Sequence, residues 1–204
     1  DPRRKGLYRK AAKRIVELAM SGGPLPRELV SEASIDNAFA LDMAMGGSTN
    51  TVLHTLAIAH EAGVEYDLDR INAISKRCPN ICKVSPSSDY HMEDVDRAGG
   101  ISAIIREIGR IKGLLNRDTI TVTGKSTWQN VSRAKIKDTS VIHPIEDAYS
   151  ADGGLTILRG NLAEEGAVVK KAGVAAQMLT FEGEAIIFNS QEEACDGILA
   201  GKVK

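Results

Sequence analysis

MAMGGSTNTVLHTLAIAHEAG, residues Met43–Gly63, is where one helix has to stop and another has to begin. Gly46 and Gly47 interrupt the helical pattern that precedes them, because glycine carries a high helix cost and readily takes positive φ. Ser48, Thr49 and Asn50 follow, three residue types favoured at helix N-caps. Apolar residues then recur at Val52, Leu53, Leu56 and Ala57, the spacing of one helical face. Gly63 stands where a left-handed C-terminal stop belongs. The stretch therefore predicts a helix, a glycine turn, a polar tip and a second helix.

That arrangement has a chemical use. The first N–H groups of a helix lack intrahelical partners, and the helix dipole places partial positive charge there. Glycines let a ligand approach the backbone, and the side chains of Ser48, Thr49 and Asn50 could complete a site for a carboxylate or phosphate. The same residues would equally make a plain helical corner in which Ser48 or Thr49 only caps. The pattern is neither the phosphate-binding P-loop nor GxGxxG.

Upstream, Arg3 to Ser21 reads as an amphipathic helix with Leu7, Ala11, Ile15, Val16 and Ala19 on one face and Arg4, Lys10, Lys13, Arg14 and Glu17 mostly off it. Gly22, Gly23 and Pro24 end it, and a second helix is expected from about Pro26 to Met45. Downstream, Asp67 or Asp69 caps a helix to about Arg77, stopped by Pro79. Ile101, Ile104, Ile105, Ile108 and Ile111 mark a further helix interior, ended by Gly113. The β-branched run Thr119–Thr123 predicts a strand, and Ser126–Val131 a short helix. Strands are expected at Leu155–Leu158, Ala167–Lys170 and Ala185–Asn189, then a helix capped by Ser190.

The totals exclude several classes. At 204 residues, with 43% apolar and 26% charged content, the composition is that of an ordinary globular protein of one or two domains. A net charge of −1 and 4% aromatics give no case for nucleic acid. No apolar run approaches the roughly 20 residues of a membrane helix, and the basic start DPRRKGLYRK lacks the apolar core of a secretory signal. Three cysteines, an odd and low number, argue for a reducing compartment.

Other chemistry-bearing residues carry two readings each. Cys78 and Cys82 could meet one metal only if helical, which Pro79 disfavours, and two thiols fall short of a four-ligand set; the alternative is small buried hydrophobes, as for Cys195. His91, Glu93 and Asp94 form a polar group before Gly99–Gly100, usable as proton shuttle or cation site, or simply a capped helix start. His54 and His60 are six apart, which is not a paired zinc spacing. Asn161, in GNLAEEG, reads as turn geometry.

The segment DMAMGGSTNTVLHTLAIAHEAG (Asp42–Gly63) resembles a signature of the dihydroxy-acid and sugar-acid dehydratase family. CKVSPSSDYHMEDVDRAGG (Cys82–Gly100), GLLNRDTITVTGK (Gly113–Lys125) and DGGLTILRGNLAEEGAVVKKAGV (Asp152–Val174) agree in the same order, and HMEDVDRAGG resembles the branched-chain dihydroxy-acid branch more than the phosphogluconate branch. The resemblance implies an α/β chain: residues 1–135 the mostly helical end of an α/β domain, 136–151 a linker, and 152–204 the start of a β-rich, barrel-like domain. It implies an internal segment of a longer enzyme, a homodimer when complete, cytoplasmic or in an organelle, working in valine and isoleucine synthesis. Such enzymes remove water from a 2,3-dihydroxy acid to give a 2-keto acid. They use an iron–sulfur cluster as Lewis acid on the leaving hydroxyl and Mg²⁺ at the carboxylate end.

The family's cluster cysteines are expected before Asp1, the serine proposed as base after Lys204, and the Mg²⁺ ligands outside the matching runs. No catalytic, metal or cluster role is therefore carried onto this sequence. What remains for the small dihydroxy-acid substrate is a wall made of Ser48, Thr49, Asn50 and His91. The rival readings are a sugar-acid dehydratase segment and a non-catalytic small-anion-binding or interaction module.

Overall fold

The computed structural model describes residues 2–203, without the Arg3 side chain. The described residues divide into two compact units between Gly173 and Val174. The first is helical with one antiparallel hairpin, an α/β arrangement, and it holds the glycine corner.

Helix α1 spans Arg3–Ser21 and ends at Gly22 in the left-handed region. Its apolar face stays open: Leu7, Ile15 and Val16 are each about 60% exposed, and only Leu18 is buried. The single helix expected over 26–45 is two. Helix α2 (Pro26–Leu29) stops at the extended Val30, and α3 (Glu32–Met45) restarts behind Ser31. The Ser31 hydroxyl accepts from the Ser34 N–H at 3.2 Å while the Ser34 hydroxyl accepts from the Ser31 N–H at 2.9 Å. This reciprocal cap fixes a helix start inside what reads as one continuous pattern.

Helix α3 is the central element. Ile35, Phe39, Ala40, Met43 and Ala44 lie on its buried side, a helical spacing. It packs on α4 (Thr49–Ala62), α5 (Leu68–Ser75) and α7 (Gly100–Ile108). Phe39 and Met43 are fully buried with Ile71, Ile81, Ile104, Ile108, Ile142 and Leu155. Burying a side chain of this size stabilises by roughly 1.5–3 kcal/mol, so these residues dominate the core.

The C-terminal carbonyls of α3 need partners from outside the helix. The irregular segment after Cys78 supplies them: the N–H groups of Ile81 and Cys82 donate to Ala44 O at 2.9 and 3.0 Å. The Asn80 amide reaches the Met43, Ala44 and Cys82 carbonyls. Residues 136–151, polar and aperiodic in sequence, tie into that segment. The Asn80 N–H donates to Ser150 O, Tyr149 N–H to Asn80 O and His143 N–H to Ile81 O.

Helix α6 (Met92–Ala98) precedes α7, which ends at Gly109 and leaves Ile111 outside the helix. The strand expected over Thr119–Thr123 is a turn. Thr121 pairs its N–H and hydroxyl with Lys125 O, Thr123 bonds Thr121, and Asn130 bonds both threonines. A strand needs a ladder partner, and among the described residues this run has one isolated bridge, Ile120 to Ser126. The short helix expected over Ser126–Val131 follows as α8 (Thr127–Val131), with Ser126 outside it as its cap.

Strands β1 (Thr156–Gly160) and β2 (Ala163–Val169) form a two-stranded antiparallel sheet with Thr156 opposite Val169 and a bulge between Leu158 and Gly160. Exposed Asn161 lies in the turn between them. In the second unit α9 (Gln191–Leu199) starts at Ser190, whose hydroxyl accepts from Glu193 N–H. Residues 185–189 are not a strand: the run has no ladder partner among the described residues, and Ile186 and Ile187 are exposed.

Candidate functional site

The glycine corner is built from α3, α4 and the two chain stretches around Gly154 and Ala172. Gly46 ends α3 at φ +55°, and the Gly47 N–H donates to Asp42 O at 3.0 Å. Ser48 is extended and caps α4, its hydroxyl accepting from the Asn50 N–H at 3.2 Å. Asp42, one turn back in α3, accepts at Oδ1 from the Ser48 N–H at 3.3 Å and from the Thr51 hydroxyl at 3.1 Å. Its Oδ2 is buried with no hydrogen-bond partner among the described residues. Burial pushes the Asp42 carboxyl above the ordinary carboxylate range, against hydrogen bonds from Thr51 and Ser48 and the charge of Lys170.

Both glycines are needed for contact. A Cβ on Gly47 would lie 1.8 Å from Asp42 Oδ1, and one on Gly46 2.8 Å from the Ala172 Cβ. Gly154 also makes a close approach, since its Cβ would sit 2.2 Å from the Gly46 Cα. The Gly154 N–H donates to Met43 O and its carbonyl accepts from the Ala172 N–H, both at 3.0 Å. Beside it, Lys171 pairs with Asp152, which also accepts from the Ser150 hydroxyl.

The α4 N-terminus is thus a partly used donor set. The Ser48 N–H goes to Asp42, the Asn50 N–H to Ser48 Oγ and the Thr51 N–H to Ser48 O. Among the described residues the Thr49 N–H and hydroxyl and the Asn50 side-chain amide have no hydrogen-bond partner, and both residues are exposed. Ser48 is occupied as a cap. The corner can offer a polar ligand one backbone donor, one hydroxyl and one amide. The internal Asp42 carboxylate already answers part of the helix's positive end.

His91 is exposed at the start of α6, where its N–H donates to Asp94 Oδ2 at 2.8 Å. That bond and the Arg97 guanidinium hold the Asp94 carboxyl below its usual range. Among the described residues no hydrogen bond or ion pair joins His91 to Ser48, Thr49 or Asn50. His54 and His60 are exposed on α4, and His143 places Nδ1 2.8 Å from Asp147 O.

The cysteines do not suit an iron–sulfur cluster. Cys78 and Cys82 are fully buried, and Cys78 Sγ donates to Ala40 O at 3.1 Å. Burial pushes their thiols up to about 12 and about 11, whereas cluster ligation needs thiolates. Cys195 is exposed in the other unit. Among the described residues no three His, Cys, Asp or Glu side chains converge to hold a metal ion. No helix of the described residues is long and apolar enough to cross a membrane.

Sequence reasoning gave Asp42 no role in the corner and missed Gly154 and Ala172 as members of it. One signal was available: the second Gly-Gly pair, Gly153–Gly154, which marks close backbone approach just as Gly46–Gly47 does.

Two family models cover the chain: the dihydroxy-acid/6-phosphogluconate dehydratase N-terminal model matches residues 1–130, and the C-terminal model residues 140–204. A curated dihydroxy-acid dehydratase of Akkermansia muciniphila is 66% identical over 201 residues, covering 98% of this chain and 36% of the relative. The chain thus spans about a third of the length of that relative. With the N-terminal and C-terminal models matching in order over residues 1–130 and 140–204, the chain belongs to the dihydroxy-acid/6-phosphogluconate dehydratase family.

Proposed function

We propose that the chain is a segment of a dihydroxy-acid dehydratase, a hydro-lyase that converts a 2,3-dihydroxy-3-methyl acid to a 2-keto acid and water in branched-chain amino-acid synthesis. The observation that carries this reading is 66% identity, across 98% of the chain, to a protein of that name. The iron–sulfur cluster and Mg²⁺ that the resemblance implies would be held by residues outside this chain: Cys78 and Cys82 are buried and protonated, and among the described residues no three His, Cys, Asp or Glu side chains converge on a metal ion. The complete enzyme is taken to be a cytoplasmic or organellar homodimer without nucleic-acid or membrane partners. Residues 136–151 are taken as the passage into a C-terminal β-rich, barrel-like domain that begins near Asp152.

The chain's own contribution is a polar wall. Thr49 and Asn50 project uncommitted donors from the start of α4 and Ser48 holds their backbone as cap; His91 is assigned to the wall on the family resemblance alone. These groups bind and orient hydroxyl and carboxylate oxygens of the substrate; none of them is assigned a proton transfer. In the full-length enzyme, Thr49→Ala and Asn50→Ala are expected to raise KM for 2,3-dihydroxyisovalerate or lower kcat, read as keto-acid formation with Mg²⁺. Unchanged kinetics in normally folded variants would remove the wall from the site.

A further inference from the structure

Asp42 makes an unusual use of one oxygen. Its Oδ1 accepts from the Ser48 N–H and from the Thr51 hydroxyl, and these two residues flank Thr49 and Asn50 on either side. The carboxylate sits in space that any side chain at position 47 would fill, so Gly47 and Asp42 are matched to one another. Its other oxygen, Oδ2, is buried without a hydrogen-bond partner among the described residues. A residue kept only to cap α4 has no need of this, since Ser48 already caps it through Asn50. Leaving a carboxylate oxygen buried and unpaired is a cost that a purely structural role does not explain.

We propose that Asp42 is a positioning residue of the site: by gripping Ser48 and Thr51 it sets the direction in which Thr49 and Asn50 meet the substrate, without touching the substrate itself. This rests on the reading of Thr49 and Asn50 as substrate-binding residues. Removing the grip frees the first turn of α4, so the two side chains must be re-ordered each time substrate binds. The cost then falls on substrate affinity more than on the chemical step.

The test is steady-state kinetics on the full-length holoenzyme with 2,3-dihydroxyisovalerate, beside a thermal melt of each variant. Asp42→Ala loses both bonds and is expected to raise KM about tenfold, with kcat per folded enzyme changing less. Asp42→Asn retains an oxygen for both donors and is expected to stay within about threefold of the parent KM. Thr51→Val removes one of the two bonds at constant shape, is the safer variant for folding, and should fall between them. An unchanged KM in Asp42→Ala and Thr51→Val, while Asn50→Ala raises KM, overturns the proposal and leaves the wall intact. A lowered melting temperature with KM unmoved overturns it too, as does an Asp42→Asn variant as impaired as Asp42→Ala. If Asn50→Ala and Thr49→Ala also leave KM unmoved, the wall itself is wrong and the proposal falls with it.

Discussion

Gly154→Ala puts the packing of the glycine corner to a direct test. The added Cβ would lie 2.2 Å from the Gly46 Cα, 3.0 Å from the Gly46 N and 3.2 Å from the Ala172 Cβ. The first two obstacles are backbone, which cannot swing aside as a side chain can. Relief requires moving the two chain stretches apart, and two hydrogen bonds stand in the way: Gly154 N–H to Met43 O and Ala172 N–H to Gly154 O. Overpacking of a dense site costs about 1–3 kcal/mol and each weakened hydrogen bond about 1 kcal/mol, giving about 3–5 kcal/mol in all. A domain has only about 5–15 kcal/mol of stability, so the loss is large. The assay is urea unfolding of the 204-residue chain followed by its single tryptophan, Trp128, which packs in the same unit. With a slope of about 2 kcal/mol per molar urea the midpoint should fall by about 2 M. Gly160→Ala is the control, because nothing lies within 4 Å of its Cβ position, and it should change stability by less than about 0.5 kcal/mol. A Gly154→Ala midpoint equal to the control's would refute the close approach.

Two further outcomes follow from groups outside the corner. Burial alone would raise the Asp36 carboxyl, but hydrogen bonds from Arg70 and Tyr66 outweigh it and hold it below its ordinary 3.8. Its stabilisation is therefore complete above about that pH and is lost as pH falls through the lower folded value; Asp36→Asn should flatten the acid-side fall in a pH series of urea midpoints, and an unaltered slope would exclude this carboxylate as its source. Of the three thiols, only Cys195 is exposed, while Cys78 and Cys82 are fully buried and held protonated. Ellman's reagent should titrate one thiol in the native chain and three in denaturant, and rapid native reaction of all three would contradict the packing.

The helices around the corner were legible because their signals are local. Ser48, Asp67 and Ser190 cap as their sequence context implies, and Gly46 and Gly63 terminate helices by taking positive φ. Local readings failed where a second chain stretch had the deciding vote. Thr119–Thr123 has strand propensity but no neighbour to pair with, so its hydroxyls close a turn instead. Ala185–Asn189 fails for the same reason. The α2–α3 break was missed because the reciprocal cap of Ser31 and Ser34 hides inside an apolar periodicity that continues through it. The open apolar face of α1 shows the converse: periodicity reveals which face is apolar and says nothing of what covers it.

By itself the sequence determined the helix–glycine–helix corner, the exposed polar tip of Ser48, Thr49 and Asn50, and the resemblance that leads to the dehydratase family. These rest on backbone conformation and on residue order, both written in neighbouring positions. Only the tertiary structure decided that Gly154 and Ala172 close on Gly46 and that Asp42 grips both ends of the tip. It also decided that Cys78 and Cys82 lie sealed in the core. Those outcomes depend on which distant segments share a volume. Burial, orphaned oxygens and displaced thiol pKa values arise only once that volume is closed to water.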